Sequence, residues 1–519
     1  MKKLFFVLLL LCVVFSVFAA GSKETAAPAE TASKKSGGTL KIAITADATG
    51  LAAWDFAGNT ADFICCWPMI EGLFTLDSDG AVSCWLAESY TMDSNAKTYT
   101  IKLKDNVYFS DGSKLNAEVA KWNLELTRAR SKKAGNLIGE LQSVDVIDEY
   151  TIRLNLSAWN SCLLYGLARE CGYMYSKKSY DEMGEAAFAV SPVGTGPFVA
   201  KNWERDIKHE YVRNENYWNG DVNLDAVEII IYQTNLVAQA ALESGEIDVW
   251  YNADFNVLST MEAKGYKVAP GSIYNMVPIL CYNSTNPEDP FYDIRVRQAI
   301  SYAVDTELIA NTVYYGYAKA RNQFCVGDYY YSDEVKGYTY DVAKAKQLLA
   351  EAGYPNGFKT TLTTLGITAT TDAAVIIKDQ LAAIGVDVEI NLLPMASYVV
   401  ELTGWKNGML LHPSGSSPCI PTQLSSMFCQ GLSGTVLGLS SMIRPDSVDK
   451  YLRASTAATD ANEVLANLSK AQVEMVDTYC MYKPVAEVPM IFVKSPKLHD
   501  DGINEACFYS CTLSTAWKE

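Results

Sequence analysis

The stretch from Asp341 to Ile390 constrains the fold more than any other part of the chain. Asp341 is a helix N-cap by residue type. Ala345, Leu348, Leu349 and Ala352 then recur on one helical face, Gly353 stops the helix, and Pro355 follows it. A second helix, Ala373–Ile384, ends at Gly385 and feeds the strand Val386–Ile390. The same alternation begins near residue 220, with strand Val227–Tyr232, helix Leu236–Ser244 stopped by Gly245, and strand Ile247–Trp250. Strands alternating with helices of this length read as α/β architecture.

Strands and turns dominate the preceding hundred residues. Leu40, Ile42 and Ile44 alternate in Thr39–Thr45, as do Tyr99, Ile101 and Leu103 in Thr98–Lys104, and Ile152, Leu154 and Leu156 in Tyr150–Leu156. Gly72–Leu76 runs into the turn Asp77-Ser78-Asp79-Gly80, and Ala117–Leu126 reads as a helix. Residues 404–445 break the regularity: they are rich in Gly, Ser and Pro and read as a long loop. Within it, Trp405, Leu410, Leu411, Met427 and Phe428 call for packing rather than disorder.

The N-terminus has the order of a secretory signal peptide: Lys2 and Lys3, an apolar run from Leu4 to Ala20, and small residues for cleavage near Ala19 or Ala20. Residues 21–38 are small and polar with no apolar period, a flexible tether. The expected location is therefore outside the cytoplasm, periplasmic or extracytoplasmic. Cys12 follows Leu11 inside the apolar run, a poor fit to a lipoprotein site, so a membrane tether stays open. The formal net charge of -17 argues against nucleic-acid and anionic-lipid partners. With 519 residues the core is large enough to form without disulfides. Among the 13 cysteines there is no C-x-x-C pair, which excludes zinc-ribbon and thioredoxin-like readings; Cys419 and Cys429 form a reasonable local pair, with buried free thiols as the alternative.

Common enzyme signatures are missing. The chain has three histidines, His209, His412 and His499, and neither H-E-x-x-H, nor G-x-S-x-G, nor a phosphate-binding glycine loop. Ser94-x-x-Lys97 lacks the partner motifs of an acyl-enzyme site, and Asp77-x-Asp79-Gly80 lacks the later ligands of a calcium loop. No cofactor, metal or catalytic residue is expected; a secreted hydrolase is the alternative from another class.

A set of short motifs occurs in order: Glu71-Gly72-Leu73-Phe74, Leu86–Tyr90, Tyr99–Lys104, Val107–Gly112, Pro192–Phe198, Arg213–Trp218, Gly245–Asp248, Pro290-Phe291, Arg295–Ile300, Tyr302–Asp305 and Lys344–Pro355. With these the chain resembles the peptide/nickel class of extracytoplasmic solute-binding proteins of ABC importers, whose members include the oligopeptide- and dipeptide-binding proteins. The resemblance implies a two-lobed periplasmic-binding-protein fold of the large type. Lobe one would take residues 39–275 and 488–519, with a small subdomain at about 66–186, and lobe two 276–487. A solute held between the lobes would be delivered by a monomer to a membrane permease.

The resemblance also places solute contacts at four positions. They correspond to Asp47–Trp54, with Asp47 and Trp54; to Trp250–Asn252, with Trp250 and Tyr251; to Tyr282 and Asn283; and to Trp405–Pro418, with Trp405, His412, Ser414 and Gly415. Peptide-binding members use an aspartate in the last segment for the peptide α-amino group, yet Gly404–Pro418 has no acidic residue. The expected solute is an oligopeptide; an oligosaccharide or a nickel chelate is the alternative. Gly194 and Gly196 are expected to serve tight or positive-φ backbone, and Arg295 and Arg297 to hold local carboxylates or carbonyls.

Overall fold

The computed structural model describes residues 36–56, 60–77, 80–131, 137–415, 419–431, 439–503 and 511–519. The expected signal peptide, Cys12 and nearly all of the expected tether lie outside the described residues. No helix among the described residues is long and apolar enough to cross a membrane.

The period-two segments fold as strands. β1 (Thr39–Ile44) opens the chain, followed by the ribbon β2 (Phe74–Leu76) and β3 (Val82–Cys84). β4 (Ala87–Asp93), β5 (Thr98–Leu103), β6 (Leu141–Asp148) and β7 (Thr151–Leu156) form a separate antiparallel sheet in the order β4-β5-β7-β6. The helix Ala117–Arg130 packs on it, capped by Asn116, whose side chain accepts from Val119 N. The main sheet adds β8 (Phe198–Glu204), β9 (Lys208–Arg213), β10 (Ala226–Ile231), β11 (Val249–Tyr251) and the long β12 (Lys267–Tyr282). It is completed by β13 (Lys359–Leu365), β14 (Asp387–Leu393), β15 (Met409–Gly415), β16 (Tyr482–Pro484) and β17 (Val488–Lys494); β18 (Leu498–His499) pairs with β19 (Trp517–Lys518).

One sheet of eleven strands runs through both expected lobes in the order β14-β13-β15-β12-β17-β11-β1-β10-β9-β8, with β16 pairing to β12. β12 is the shared strand. It pairs with β17 as far as Met276↔Val488, and with β15 from Met276↔Gly415 to Tyr282↔Met409. The register of β12 against β17 shifts between Pro270 and Asn275, so the ladder is interrupted just before the change of partner.

The helices match their sequence signals. In Val342–Glu351 the Asp341 carboxylate accepts from Lys344 N at 2.8 Å, and Ala345, Leu348 and Leu349 are buried. Residues 404–445 differ from the expected loop: they hold β15 and the helix Ile420–Phe428, because Leu410, Leu411, Met427 and Phe428 bury their side chains in the core.

Several motif residues converge on one buried carboxylate. Glu71 accepts from Trp85 Nε1 (3.0 Å), Thr195 Oγ1 (2.7 Å), Tyr217 OH (2.6 Å) and Trp218 Nε1 (2.8 Å). Burial pushes its pKa up, and the four donors work against that rise. Gly194 and Gly196 serve close approach: a Cβ on Gly194 would fall 2.1 Å from Met69 O, and one on Gly196 2.6 Å from Met69 C. Arg295 pairs with Asp293 at 2.6 Å, and Arg297 donates to the carbonyls of Phe291, Tyr292, Tyr479 and Cys480.

Candidate functional site

The direction of the strands points to a candidate cleft. In lobe one, β1, β10 and β11 are parallel, with carboxyl ends at Ile44, Ile231 and Tyr251. In lobe two, β13, β14 and β15 are parallel, with carboxyl ends at Leu365, Leu393 and Gly415. Gly415 lies opposite Met276, and Ala253 N donates to Ile491 O just past β11. Both carboxyl edges therefore meet at the stretch where β12 and β17 cross between the lobes. Ligands of open α/β sheets bind at such edges.

The lobe-one wall is aromatic. Tyr251 packs on Phe492 (5.3 Å between centroids) and donates to Met490 Sδ at 3.4 Å, and Trp67 reaches Phe492 at 6.4 Å. Asp47, in the loop after β1, serves its own lobe. It accepts from His209 Nε2 (2.7 Å), Asp206 N (2.9 Å) and Trp203 Nε1 (3.1 Å). Burial opposes its ionisation, but these hydrogen bonds outweigh burial and hold the carboxyl below its usual range. Trp54 is buried among Tyr175 (5.1 Å), Tyr180 (6.1 Å) and Phe188 (6.4 Å), and its Nε1 has no partner among the described residues.

The lobe-two wall is built by alternation along β15. Leu410, His412 and Ser414 stand opposite Cys281, Ile279 and Val277, so all six side chains share one face. His412 is 4% exposed; its Nδ1 lies 2.8 Å from Tyr398 OH, and its Nε2 has no partner among the described residues. Burial pulls its pKa down to about 4, so the ring is neutral at pH 7. Gln423 Nε2 donates to Gly415 O (2.6 Å) and Ser414 Oγ (3.2 Å), tying the end of β15 to the helix Ile420–Phe428. Ser416, Ser417 and Pro418 lie outside the described residues.

Two of the expected site residues belong to cores away from the cleft. Tyr282 faces the opposite side of β12, stacks on Phe291 at 5.5 Å, and shares a 2.8 Å hydrogen bond with Ser301. Trp250 lies in an apolar cluster with Ala238, Leu242, Leu258 and Met261 and donates to Asn235 Oδ1 at 3.1 Å. In both, the two-residue period of the strand turns the side chain from the cleft face. Asn283 and Trp405 do come together: Asn283 Nδ2 donates to Trp405 O at 3.2 Å, and both line an open cavity of about 430 Å³ with Thr285, Asn286 and Ser441. That cavity lies at the far end of β12 from Met276, roughly 20 Å along the strand.

The lobes also touch beside the cleft. Ser161 N and Oγ each donate to Thr456 O at 3.0 Å, Trp159 Nε1 donates to Ala458 O at 3.2 Å, and Tyr330 OH to Tyr165 OH at 3.3 Å. Cys162 and Cys419 form a disulfide, with Cα atoms 6.4 Å apart. This corrects the expected Cys419–Cys429 pair: the nine-residue helix Ile420–Phe428 separates those residues by about 14 Å, beyond disulfide reach. Cys429 is a buried thiol. Trp67, Tyr398, Gln423 and the Cys162 contact were not found from sequence. The first three sit in otherwise ordinary apolar or polar runs, and the last joins positions 257 residues apart.

Four likenesses accompany this geometry. The profile of the bacterial extracellular solute-binding proteins, family 5, middle region, matches residues 81–431. The glutathione-binding protein GsiB of Escherichia coli (strain K12) is 28% identical over 367 residues, covering 70% of this chain and 71% of that protein. Among solved structures, the periplasmic binding protein DppA from Helicobacter pylori, in complex with the peptide STSA, has a TM-score of 0.78 at 24% identity, covering 93% of this chain and 99% of that one. NikA from Brucella suis, in complex with Fe(III)-EDTA, has a TM-score of 0.82 at 22% identity, covering 93% and 100%. The two structures are likenesses of fold.

Proposed function

Because the chain belongs to the bacterial extracellular solute-binding proteins of family 5, we propose that it captures a short peptide between its lobes and hands it to a membrane permease. Its role as a solute-binding component of an ABC importer goes with the family. The peptide assignment rests on one observation above others: the carboxyl edges of both parallel sheets converge on a wall of Tyr251, Trp67 and Phe492 facing the small polar end of β15. Tilted aromatic rings and hydrogen-bonding backbone suit amide planes and side chains alike. The binding of glutathione by GsiB, itself a short peptide, supports the same reading.

The wall has a consequence for specificity. Residues 402–445 contain no Asp or Glu. A buried peptide ammonium needs a counter-charge, so this protein selects peptides whose amino end is blocked or left in water. The contacting set is Tyr251, His412, Ser414 and Gly415 with Trp67 and Gln423. Lobe one comprises 39–275 and 488–519, and lobe two 276–487, a division supported by the change of partner along β12 at Met276. The protein works as an extracytoplasmic monomer and by binding alone, as its relatives are binding proteins.

A thermal-shift screen tests this, because a ligand of the native state raises the melting temperature by mass action. The probes are glutathione, free and N-acetylated di- to pentapeptides, oligosaccharides, and nickel with histidine. The expected result is a rise with peptides, larger for N-acetylated ones. A rise only with oligosaccharides or nickel–histidine overturns the peptide assignment.

A further inference from the structure

We propose that the Cys162–Cys419 disulfide is a redox-controlled latch on the cleft: oxidised, it holds the lobes closed, and reduced, it lets them part. The proposal rests on the two-lobe binding reading above.

Its basis is where the two sulfurs come from. Cys162 follows β7 of the separate four-stranded sheet in lobe one, and Cys419 stands between β15 and the helix Ile420–Phe428 in lobe two. The lobes already share the crossing strands β12 and β17. Two crossing strands leave a hinge free to turn, because small backbone changes there swing whole lobes. Cys162 is not part of the main sheet, so the bridge adds a third attachment off the line of those strands. Disulfides rarely span Cα separations beyond about 7 Å. At 6.4 Å the walls have almost no travel left while the bond is intact. The neighbouring contacts from Ser161, Trp159 and Tyr330 are hydrogen bonds that part freely.

The site is also built to hold the bond. Asn160 Oδ1 accepts from Cys162 N at 2.8 Å, and Thr422 Oγ1 lies 3.3 Å from Cys419 Sγ. Exposures of 5% and 3% leave the two sulfurs to be reached as the neighbouring hydrogen bonds between the walls part. Cys65, Cys66, Cys171, Cys281, Cys325, Cys429 and Cys480 are buried free thiols within the cores.

The chemistry is thiol–disulfide exchange. In opening, a thiolate of a dithiol reductant attacks one sulfur, the other leaves as a thiolate and takes a proton, and the reductant's second thiol releases the mixed disulfide. The protein gains two electrons and two protons, and the reductant becomes a disulfide. Closing runs the same steps backwards against a disulfide oxidant. A carrier latched shut around its solute neither releases nor exchanges it, so redox state sets whether the protein takes part in transport.

The test is made on the full protein isolated from an oxidising compartment, without added solute. Iodoacetamide labelling before and after tris(carboxyethyl)phosphine, read by mass spectrometry, reports the bond. Small-angle X-ray scattering reports the radius of gyration of the untreated protein, the reduced protein and the Cys162→Ser/Cys419→Ser double variant. The expected result is that Cys162 and Cys419 label only after reduction, and that the radius rises equally in the reduced protein and the double variant. Labelling of both cysteines without reductant overturns the proposal, as does one radius in all three states. Neither readout needs the solute, so failure of the peptide assignment appears only in the thermal-shift screen.

Discussion

His209 Nε2 lies 2.7 Å from Asp47 Oδ1, and both side chains are nearly shut off from solvent. The pair pins the loop after β1 to β9, within lobe one. Asp47 is the one acidic residue among the expected solute contacts, and its carboxylate is engaged by this lobe rather than turned to a solute.

Asp47→Asn is therefore expected to lower stability by about 2 kcal/mol, as loss of charge-assisted hydrogen bonds does, while affinity for the solute changes little. Folding lowers the pKa of both partners, His209 by burial and Asp47 by its hydrogen bonds outweighing burial. The unfolded chain thus takes up protons first. The pair's contribution is present above the ordinary histidine range and is lost as pH falls through that range and then the carboxylate range. Urea midpoints across pH, with solute affinity by calorimetry, check both points.

His412 makes a sharper pH prediction. Its ring binds a proton near pH 6.5 when unfolded and at about 4 when folded. Stability from keeping it neutral is complete above pH 6.5 and falls by on the order of 3 kcal/mol as pH drops to 4. His412→Gln removes this slope. Urea titrations of both proteins at pH 7, 5.5 and 4 decide it; parallel curves would mean the ring is solvated.

Glu71 has the opposite sign. Burial raises its pKa, so the native state holds the proton more tightly, and this group alone favours the fold as pH falls. Glu71→Gln turns an amide toward four hydrogen-bond donors and is expected to cost about 3 kcal/mol at pH 7. Denaturant midpoints measure it, and solute affinity of the folded fraction is expected to be unchanged.

Trp405→Ala and Tyr282→Phe separate core from cleft. Trp405 is 2% exposed at the far end of β12, and its loss is expected to cost about 4 kcal/mol. Tyr282→Phe removes only the Ser301 hydrogen bond, about 1 kcal/mol. Ser414→Ala, on the face expected to meet solute, is expected to lower solute affinity at a stability cost of only about 1 kcal/mol, the lost Gln423 hydrogen bond. If Trp405→Ala instead abolishes binding in a fully folded protein, the site extends to the Asn283 cavity.

The local parts of the fold were legible because local physics decides them. Asp341 caps the helix that its spacing announced, and Leu40, Ile42 and Ile44 alternate where β1 forms. β15 was not legible. Gly408, Pro413 and Gly415 disguise it as a loop, yet Pro413 faces Pro278 across the ladder and β13 stops pairing after Leu411, so no N–H is missed. The site was half legible for the same reason. Position along the chain brought Tyr251, His412, Ser414 and Gly415 to the edge where the parallel strands converge, but which face Tyr282 and Trp250 take depends on register, which only the assembled sheet fixes.

The position of β17 has a consequence for the order of events in a cell. This strand comes from Val488–Lys494, near the end of the chain, yet it lies in the middle of the main sheet between β12 and β11. Until residues 488–494 have been made, β11 has no neighbour on that side and the crossing point is missing one of its two strands. The long loop closures this requires are slow to form. A chain whose central strand is made more than two hundred residues after the strand it joins, β11, stays open at that seam, and so threadable, until β17 arrives.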